Sequence, residues 1–575
     1  MARTLQKSLI STILTLFARI RAAGSSQYFL LTFAGILLVF GLVSWFAPHS
    51  IASLLGFVKM EATAVTDIRA FYGSALCAYA VLLVYCALEA GYLAGGLLLV
   101  LAFCAGSAIG RLYGLFVDGS WGVMHLTFLT GEVSCSFIAI KHWKRLRRRQ
   151  QSKTTVESPT KLAEFDPLSK ACLENPYPFY RALRDEAPVY RMPGADYVCI
   201  SRYEDVKTVA LNTDDYSSNL VSIILSTIEG NTKTINQIQS DLAPVDVLAI
   251  QDPPRHSEQR KLGLANLSMR FVQSLEGDIR VMADTIIDRF IEQGEADWVK
   301  AFAKEIPMRV SLRLVGFPED NWQAVKHWCD EAISLLSGVN SPEDFARNSQ
   351  ASMKLIRFVR KAYFDIKAAV ANGDRQENFS AALMRAVDDP EYDLTEAEAI
   401  SMVFQVVIAG SDSTANTIGN SVKMLAENPA IQLALRRDKD KIPAFIEEVV
   451  RLESPFQGHF RKTTKEVSLH GQTFPVGTRV MLLWASANRD DREYSNPDQI
   501  DLERHNLKHH LAFGRGIHQC LGANLARLEV RVALEQLLAR TSLLVLDTTK
   551  PIVVDHVHSV FIRELNSLPI RFAVA

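Results

Sequence analysis

The stretch Phe513-Gly514-Arg515-Gly516-Ile517-His518-Gln519-Cys520-Leu521-Gly522 holds one cysteine inside a glycine-rich loop, and a helix-like run from Ala523 to Leu538 follows directly. A helix N-terminus offers unpaired N–H groups and positive dipole charge, so a sulfur placed there is stabilised as a thiolate able to ligate a metal. Gly514 and Gly516 let the backbone turn tightly around the sulfur, and Gly522 leaves room for a flat group against it. The bland alternative is a buried, inert cysteine in front of a helix.

Upstream, Thr395-Glu396-Ala397-Glu398 reads as a capping box and Asn428-Pro429 as a stop. The helix between them is apolar from Ile400 to Ile408 and then turns polar at Ala409-Gly410-Ser411-Asp412-Ser413-Thr414. A polar cluster midway along a buried helix is costly unless it meets water or ligand, and Gly410 beside hydroxyls favours a local distortion. Glu448 and Arg451 share a face of a helix that begins near Pro443. His256 and Arg260 likewise stand at i and i+4, and Arg461 follows a Ser454-Pro455-Phe456-Gln457 turn.

Taken in order, these segments resemble the cytochrome P-450 family. The cysteine loop matches Phe-x-x-Gly-x-x-x-Cys-x-Gly, the polar helix segment matches Ala/Gly-Gly-x-Asp/Glu-Thr-Thr, and Glu448-x-x-Arg451 matches Glu-x-x-Arg. Asn488-Arg489-Asp490 and Leu568-Pro569 extend the likeness, which spans 165–575. The resemblance implies a mainly α fold with small β-sheets and a haem b cofactor. Cys520 would be its axial thiolate, pushing electron density toward O–O cleavage, with Phe513 and Gly522 beside the cofactor. His256, Arg260, Arg461 and His518 would clamp the propionates. Asp412 would relay protons and Ser413 would hydrogen-bond dioxygen. Serine there departs from the usual threonine and loses the methyl that fixes the rotamer. Thr414 points about 100° further round the helix and substitutes poorly. A buried trio of Glu448, Arg451 and Arg504 would hold the proximal side. Ala409, Gly410, Phe456, Gln457 and His459 are candidates for the pocket, and His459 is unusual at its position.

The chain has 575 residues and a formal net charge of −1, which argues against bulk nucleic-acid binding. No C-x-x-C pair occurs among the eight cysteines, so zinc ribbons and clustered iron–sulfur sites find no support. Apolar stretches at 28–47, 71–90, 92–109 and 121–140 each approach the ~20 residues that span a bilayer. They predict an all-α, four-span transmembrane bundle over 28–140, after an interfacial segment at 1–27 whose residues 4–21 read as an amphipathic helix. A basic and polar linker at 141–164 and the haem domain at 165–575 follow. The run Lys141-His142-Trp143-Lys144-Arg145-Leu146-Arg147-Arg148-Arg149 places that side, both termini and the haem domain in the cytoplasm, with the bundle in the inner membrane. Glu132 within the fourth span needs a partner, and Arg111 and Arg69 are at hand. The segments around Asp67 to Gly73 and Gly110 to Gly119 look similar to an uncharacterised family of four-helix bacterial membrane proteins.

The expected activity is a monooxygenase acting with O2 on a lipophilic molecule (fatty acid, terpenoid or sterol-like) taken from membrane lipids. Electrons would come from a separate ferredoxin and ferredoxin reductase docking at Lys508, Arg515 and Arg527. The alternatives keep the haem: an oxygen-independent isomerase or dehydratase, or a non-catalytic membrane sensor. The stretch Leu220 to Leu248 mixes apolar and polar runs suited to a lid.

Overall fold

The computed structural model describes residues 25–54, 61–88, 92–117, 123–154, 162, 165–220, 222–226, 232–236, 245–335, 340–550, 555–557 and 559–575. The segment 4–21 and about half of the expected lid lie outside them. What is described of the lid is a hairpin, Ser222–Ser226 against Thr232–Asn236. The chain divides into two compact units, Met1–Val156 and Glu157–Ala575.

In the first unit, α1 (Ser25–Phe46), α2 (Ala62–Leu88) and α3 (Leu93–Val117) precede α4 (Val123–Thr154). Among the described residues, three stretches (Ser25–Phe46, Ala62–Leu88 and Leu93–Tyr113) are long and apolar enough to cross a membrane. The expected count of four is therefore not reproduced. The second stretch begins well before residue 71, with π-helical turns over Ile68–Ala75. The fourth helix does not stop at 140 but runs through the basic segment to Thr154, in place of the first part of the linker expected at 141–164. Lys, Arg and Gln are good helix formers, and no proline interrupts them. Arg111 Nε donates to both Glu132 carboxylate oxygens at 3.0 and 3.1 Å, and its guanidinium lies 4.8 Å from the Phe128 ring centre. Arg69 instead donates to the Trp45 carbonyl.

The second unit is built around α7 (Glu396–Glu427), flanked by α5 (Arg255–Asn266), α6 (Trp322–Ser334), α8 (Ile442–Leu452) and α9 (Ala523–Arg540). The capping box is formed, Thr395 and Glu398 each satisfying the other's backbone N–H. Arg255 then ties α5 to that helix start, donating to Glu398 Oε1 at 2.9 Å and Oε2 at 2.6 Å. The helix is continuous through Ala409 to Thr414, so the distortion expected at Gly410 is absent. Gly410 serves a close approach instead: a Cβ there would sit 2.5 Å from Ser311 Oγ on the helix Glu305–Val315. Five strands, β1 (Val189–Arg191), β2 (Tyr197–Ile200), β3 (Tyr216–Ser217), β4 (His459–Thr463) and β5 (Arg479–Leu482), form a sheet in the order β1-β2-β5-β4-β3. Only β2 and β5 pair in parallel. A three-stranded sheet joins Thr541–Leu546, Pro569–Val574 and Glu295–Asp297. The result is the mainly helical fold with small sheets that the sequence implies.

A buried ionic knot secures the start of this unit. Glu453 accepts from Tyr177 Oη at 3.0 Å and Arg563 Nε at 2.9 Å, and Arg489 lies 3.5 Å from the Tyr177 ring centre. Burial acts to raise the Glu453 carboxyl, but Arg563, Lys423, Arg489 and His556 overcome it and hold the group down to about 2. A depressed carboxyl gives stability that is full above its unfolded pKa and is lost as pH falls toward the folded value. The shift from 4.5 to about 2 corresponds to roughly 3 kcal/mol. Acid denaturation followed by circular dichroism should therefore show wild type losing this increment between about pH 4.5 and 2. In Glu453→Gln that part of the pH dependence should be absent.

Candidate active site

Gly514 and Gly516 take φ of +68° and +77°, values that favour glycine, and turn the loop so that the Cys520 N–H donates to the Phe513 carbonyl at 2.7 Å. Gly263 on α5 closes on the same loop: a Cβ there would meet Leu521 Cδ2 at 2.7 Å. Nothing lies within 4 Å of the Cβ position of Gly522, so the face beside the sulfur is open. The Cys520 side chain is accessible, although surrounding protein pushes its thiol pKa up against the pull of the Gly522 N–H, Arg527 and Arg260.

Basic groups converge near this sulfur with little acid to answer them. The His256 and His518 rings stand 4.1 Å apart. His256 Nδ1 and both His518 ring nitrogens are buried without a partner. Burial, then His256, Arg461, Arg260 and His459, depress His518 to about 3. Arg461 is buried and donates to the Phe460 carbonyl, and burial lowers it to about 10 despite Asp252. Arg260 donates to the Gln519 carbonyl at 2.7 Å. Among the described residues neither arginine forms an ion pair. Orphaned donors and mutually repelling cations suit a flat group with two carboxylates, and an accessible thiol on the open face suits its metal. The residues present thus fit a haem.

Behind the loop, Glu448 accepts from Arg451 Nε at 2.6 Å, from Arg451 Nη2 at 2.9 Å and from Arg504 Nε at 3.1 Å. Arg451 also donates to the Asn488, Pro497 and Gln499 carbonyls, and both arginines face the Tyr494 ring. The three side chains meet in the interior, none more than 5 % exposed. Glu447, next to Glu448, binds Arg527 at 2.6 and 2.9 Å and His510 at 2.9 Å. Arg527 is thereby engaged and is not a free docking cation, whereas Lys508 and Arg515 are exposed.

On α7 Ala409 is exposed, and Gln405 and Ser413, four residues to either side of it, are partly accessible, as are Phe404, Val406 and Ile408. Ser413 Oγ donates back to the Ala409 carbonyl at 3.1 Å. Thr414 is buried one step round the helix from Ser413. Asp412 is buried too, its Oδ1 bound by Lys326 and by Ser411 Oγ, its Oδ2 without a partner. Lys326 also holds Asp330, which Lys304 bridges to Glu564 at 3.2 and 3.0 Å. Three carboxyls share two ammonium groups, so one negative charge is in excess. Burial, with Asp330 and Glu564, pushes Asp412 up against the attraction of Lys326.

Among the other pocket candidates, Phe456 bridges to Ile562 and lies 5.0 Å from the His459 ring. Gln457 turns inward: its Nε2 donates to the Ser454 carbonyl at 2.8 Å, and it lines a small cavity with Cys172, Tyr180 and Arg563. His459 carries accessible surface and accepts from Trp484. The cluster partners Lys326, Lys304, Asp330 and Glu564 escaped the sequence reading, since a buried lysine looks like any surface lysine until its helix is docked. Glu529 escaped it too. It is buried on α9, Oε2 lacks a partner and burial raises its pKa. The signal was present, for it shares the apolar face of Leu525, Leu528 and Val532.

Comparison with known proteins agrees with this geometry. Residues 186–568 match the family described as Cytochrome P450, and 25–140 match a domain of unknown function, DUF4345. Cytochrome P450 144 of Mycobacterium tuberculosis is 33% identical over 372 residues, 65% of this chain and 84% of that protein. The structure of cytochrome P450 CYP109Q5 from Chondromyces apiculatus superposes with a TM-score of 0.61 at 30% identity, covering 72% of this chain and 99% of that one. CYP109E1 from Bacillus megaterium, solved in complex with testosterone, gives 0.62 at 26% identity over 70% and 99%. This chain belongs to the cytochrome P450 family of monooxygenases, which use haem with a cysteine thiolate axial ligand, and carries a DUF4345 domain in front.

Proposed function

We propose that this protein is a membrane-anchored haem-thiolate monooxygenase that inserts one oxygen atom of O2 into a lipophilic small molecule (fatty acid, terpenoid or sterol-like). Electrons come from a separate ferredoxin-type donor that docks against the exposed Lys508 and Arg515. The observation that carries the reading is Asp412, a buried acid with one free oxygen in a cluster with more carboxyls than ammonium groups.

Haem, when bound, would supply the one-electron and dioxygen chemistry, and Cys520 would hold it through its thiolate. His256, Arg260, Arg461 and His518 would bind its carboxylates and fix its orientation. Glu448, Arg451 and Arg504 hold the loop that presents Cys520. Asp412 keeps a proton because its cluster is one positive charge short, and hands it on from Oδ2. Asp330 and Lys304, whose side chains are 28% and 23% exposed, connect the cluster to solvent for proton recovery. Ser413, once its bond to the Ala409 carbonyl is released, passes the proton along the side of α7 that carries Ala409. The apolar helices of the first unit seat the protein in the inner membrane with the haem domain on the cytoplasmic side. That anchoring tethers the haem domain to a membrane, which is a reservoir of lipophilic substrate. The CYP109E1 complex with testosterone supports a lipophilic ligand.

Full-length protein with a surrogate ferredoxin, its reductase and NADH tests this under isotopically heavy dioxygen. A lipophilic panel (fatty acids, terpenoids, sterols) is first screened by optical titration. The expected product carries one heavy oxygen atom. An unlabelled, isomerised or dehydrated product from every compound that binds would overturn the proposal.

A further inference from the structure

His459 opens β4, and Gly458 before it runs so close to β5 that a Cβ would sit 2.7 Å from the Leu482 carbonyl oxygen. The imidazole is thereby held between Phe456, at 5.0 Å, and Trp484, at 6.2 Å between ring centres. Trp484 Nε1 lies 2.7 Å from His459 Nδ1. An indole N–H only donates, so Nδ1 must present its lone pair. Imidazolium and the Nδ1–H tautomer would both set hydrogen against hydrogen. The proton therefore resides on Nε2, and that nitrogen has no lone pair with which to ligate a metal. Nε2 makes no hydrogen bond among the described residues, while the side chain retains accessible surface. Burial, with Arg461 nearby, lowers the ring to about 4, in keeping with a neutral imidazole. His459 and Arg461 share one face of β4, about 7 Å apart along the strand, so His459 stands one step beyond the cationic clamp, toward Phe456.

We propose that His459, fixed by Trp484 as a neutral Nε2–H donor beside Phe456, anchors the acceptor oxygen (carbonyl, carboxylate or hydroxyl) at the polar end of a lipophilic substrate. The inference rests on the monooxygenase reading and names the substrate class within it. A donor that loses its water when an apolar body fills the pocket goes unpaired unless the ligand offers an acceptor. An oxygen-bearing ligand should then bind about tenfold or more tightly than its deoxygenated analogue. A site built around a donor discriminates in this way, and a purely apolar one does not.

Two measurements on full-length, haem-loaded protein decide it. The first is nitrogen NMR of histidine-labelled protein in the diamagnetic ferrous–carbon monoxide form, with His459→Phe identifying the signal. Nδ1 unprotonated and Nε2 protonated is expected in wild type, with that preference lost in Trp484→Phe. A protonated Nδ1 in wild type would overturn the inference and leave the monooxygenase reading standing. The second is optical titration with a ketosteroid, a fatty acid and a terpenoid alcohol, each beside the analogue in which hydrogen replaces the oxygen. Wild type should favour the oxygenated member about tenfold or more, and His459→Phe should bind both alike. A preference unchanged in His459→Phe would overturn the inference. If no member of any pair shifts the wild-type spectrum, the lipophilic-substrate reading itself fails, and the inference with it.

Discussion

Replacing Glu448 by alanine is expected to destabilise the haem domain by about 3–5 kcal/mol, the range for removing one partner of a buried ion pair. Arg451 and Arg504 would be left as two guanidinium groups facing each other in the interior. Their remaining bonds run to carbonyls such as Asn488, Pro497 and Ser495, which carry no compensating charge. Glu448 Oε2 also accepts from the Asp501 N–H at 2.9 Å, so the chain leading to the cysteine loop loses an anchor as well. Denaturant unfolding and the fraction of purified protein that retains haem both report this. Glu448→Gln keeps shape and acceptor oxygen and should fall between wild type and alanine. Wild-type stability in the alanine variant would contradict the role given to the trio.

The second large effect is expected at Asp412. Asparagine keeps the shape and cannot hold an acidic proton, so productive turnover should fall by about 10²–10⁴-fold, the usual weight of a general acid. Substrate-induced spectral change should persist, because Asp412 is buried against Lys326. The pH profile adds a second reading. The acid form exists below its raised pKa, so wild-type turnover should decline as pH rises through that value, while the residual rate of Asp412→Asn stays flat. Lys326→Met removes the countercharge and should move the decline to higher pH, since Asp330 and Glu564 then act on Asp412 unopposed. An asparagine variant that turns over like wild type would remove the proton-donor role.

Much of this was legible in the sequence because local rules and the final contacts agree. The capping box at Thr395, the glycine turns before Cys520 and the i, i+3 pair of Glu448 with Arg451 each declare themselves within a few residues. Arg504 became readable once the pair was recognised as part of a family pattern. What escaped is what depends on docking. Gly410 looked like a helix distorter because its neighbours are hydroxyls, yet Ser311, almost a hundred residues earlier, explains the missing side chain. The partners of Asp412 come from another helix and the final segments, with no shared spacing to betray them. Trp484 sits in a different sequence neighbourhood from His459, so the imidazole's tautomer was invisible until β4 and β5 were paired. In the first unit, hydropathy found the apolar stretches but not where the last helix ends, because a basic run is as helical as an apolar one.

The most direct test of the central claim is the carbon monoxide spectrum of the reduced, haem-loaded protein, wild type beside Cys520→His. Wild type should show the strongly red-shifted band of a thiolate-ligated iron. In Cys520→His the band should move to the position given by an imidazole ligand, with monooxygenase turnover lost. A red-shifted band that survives the replacement would mean that Cys520 is not the thiolate, and would contradict the site described around it.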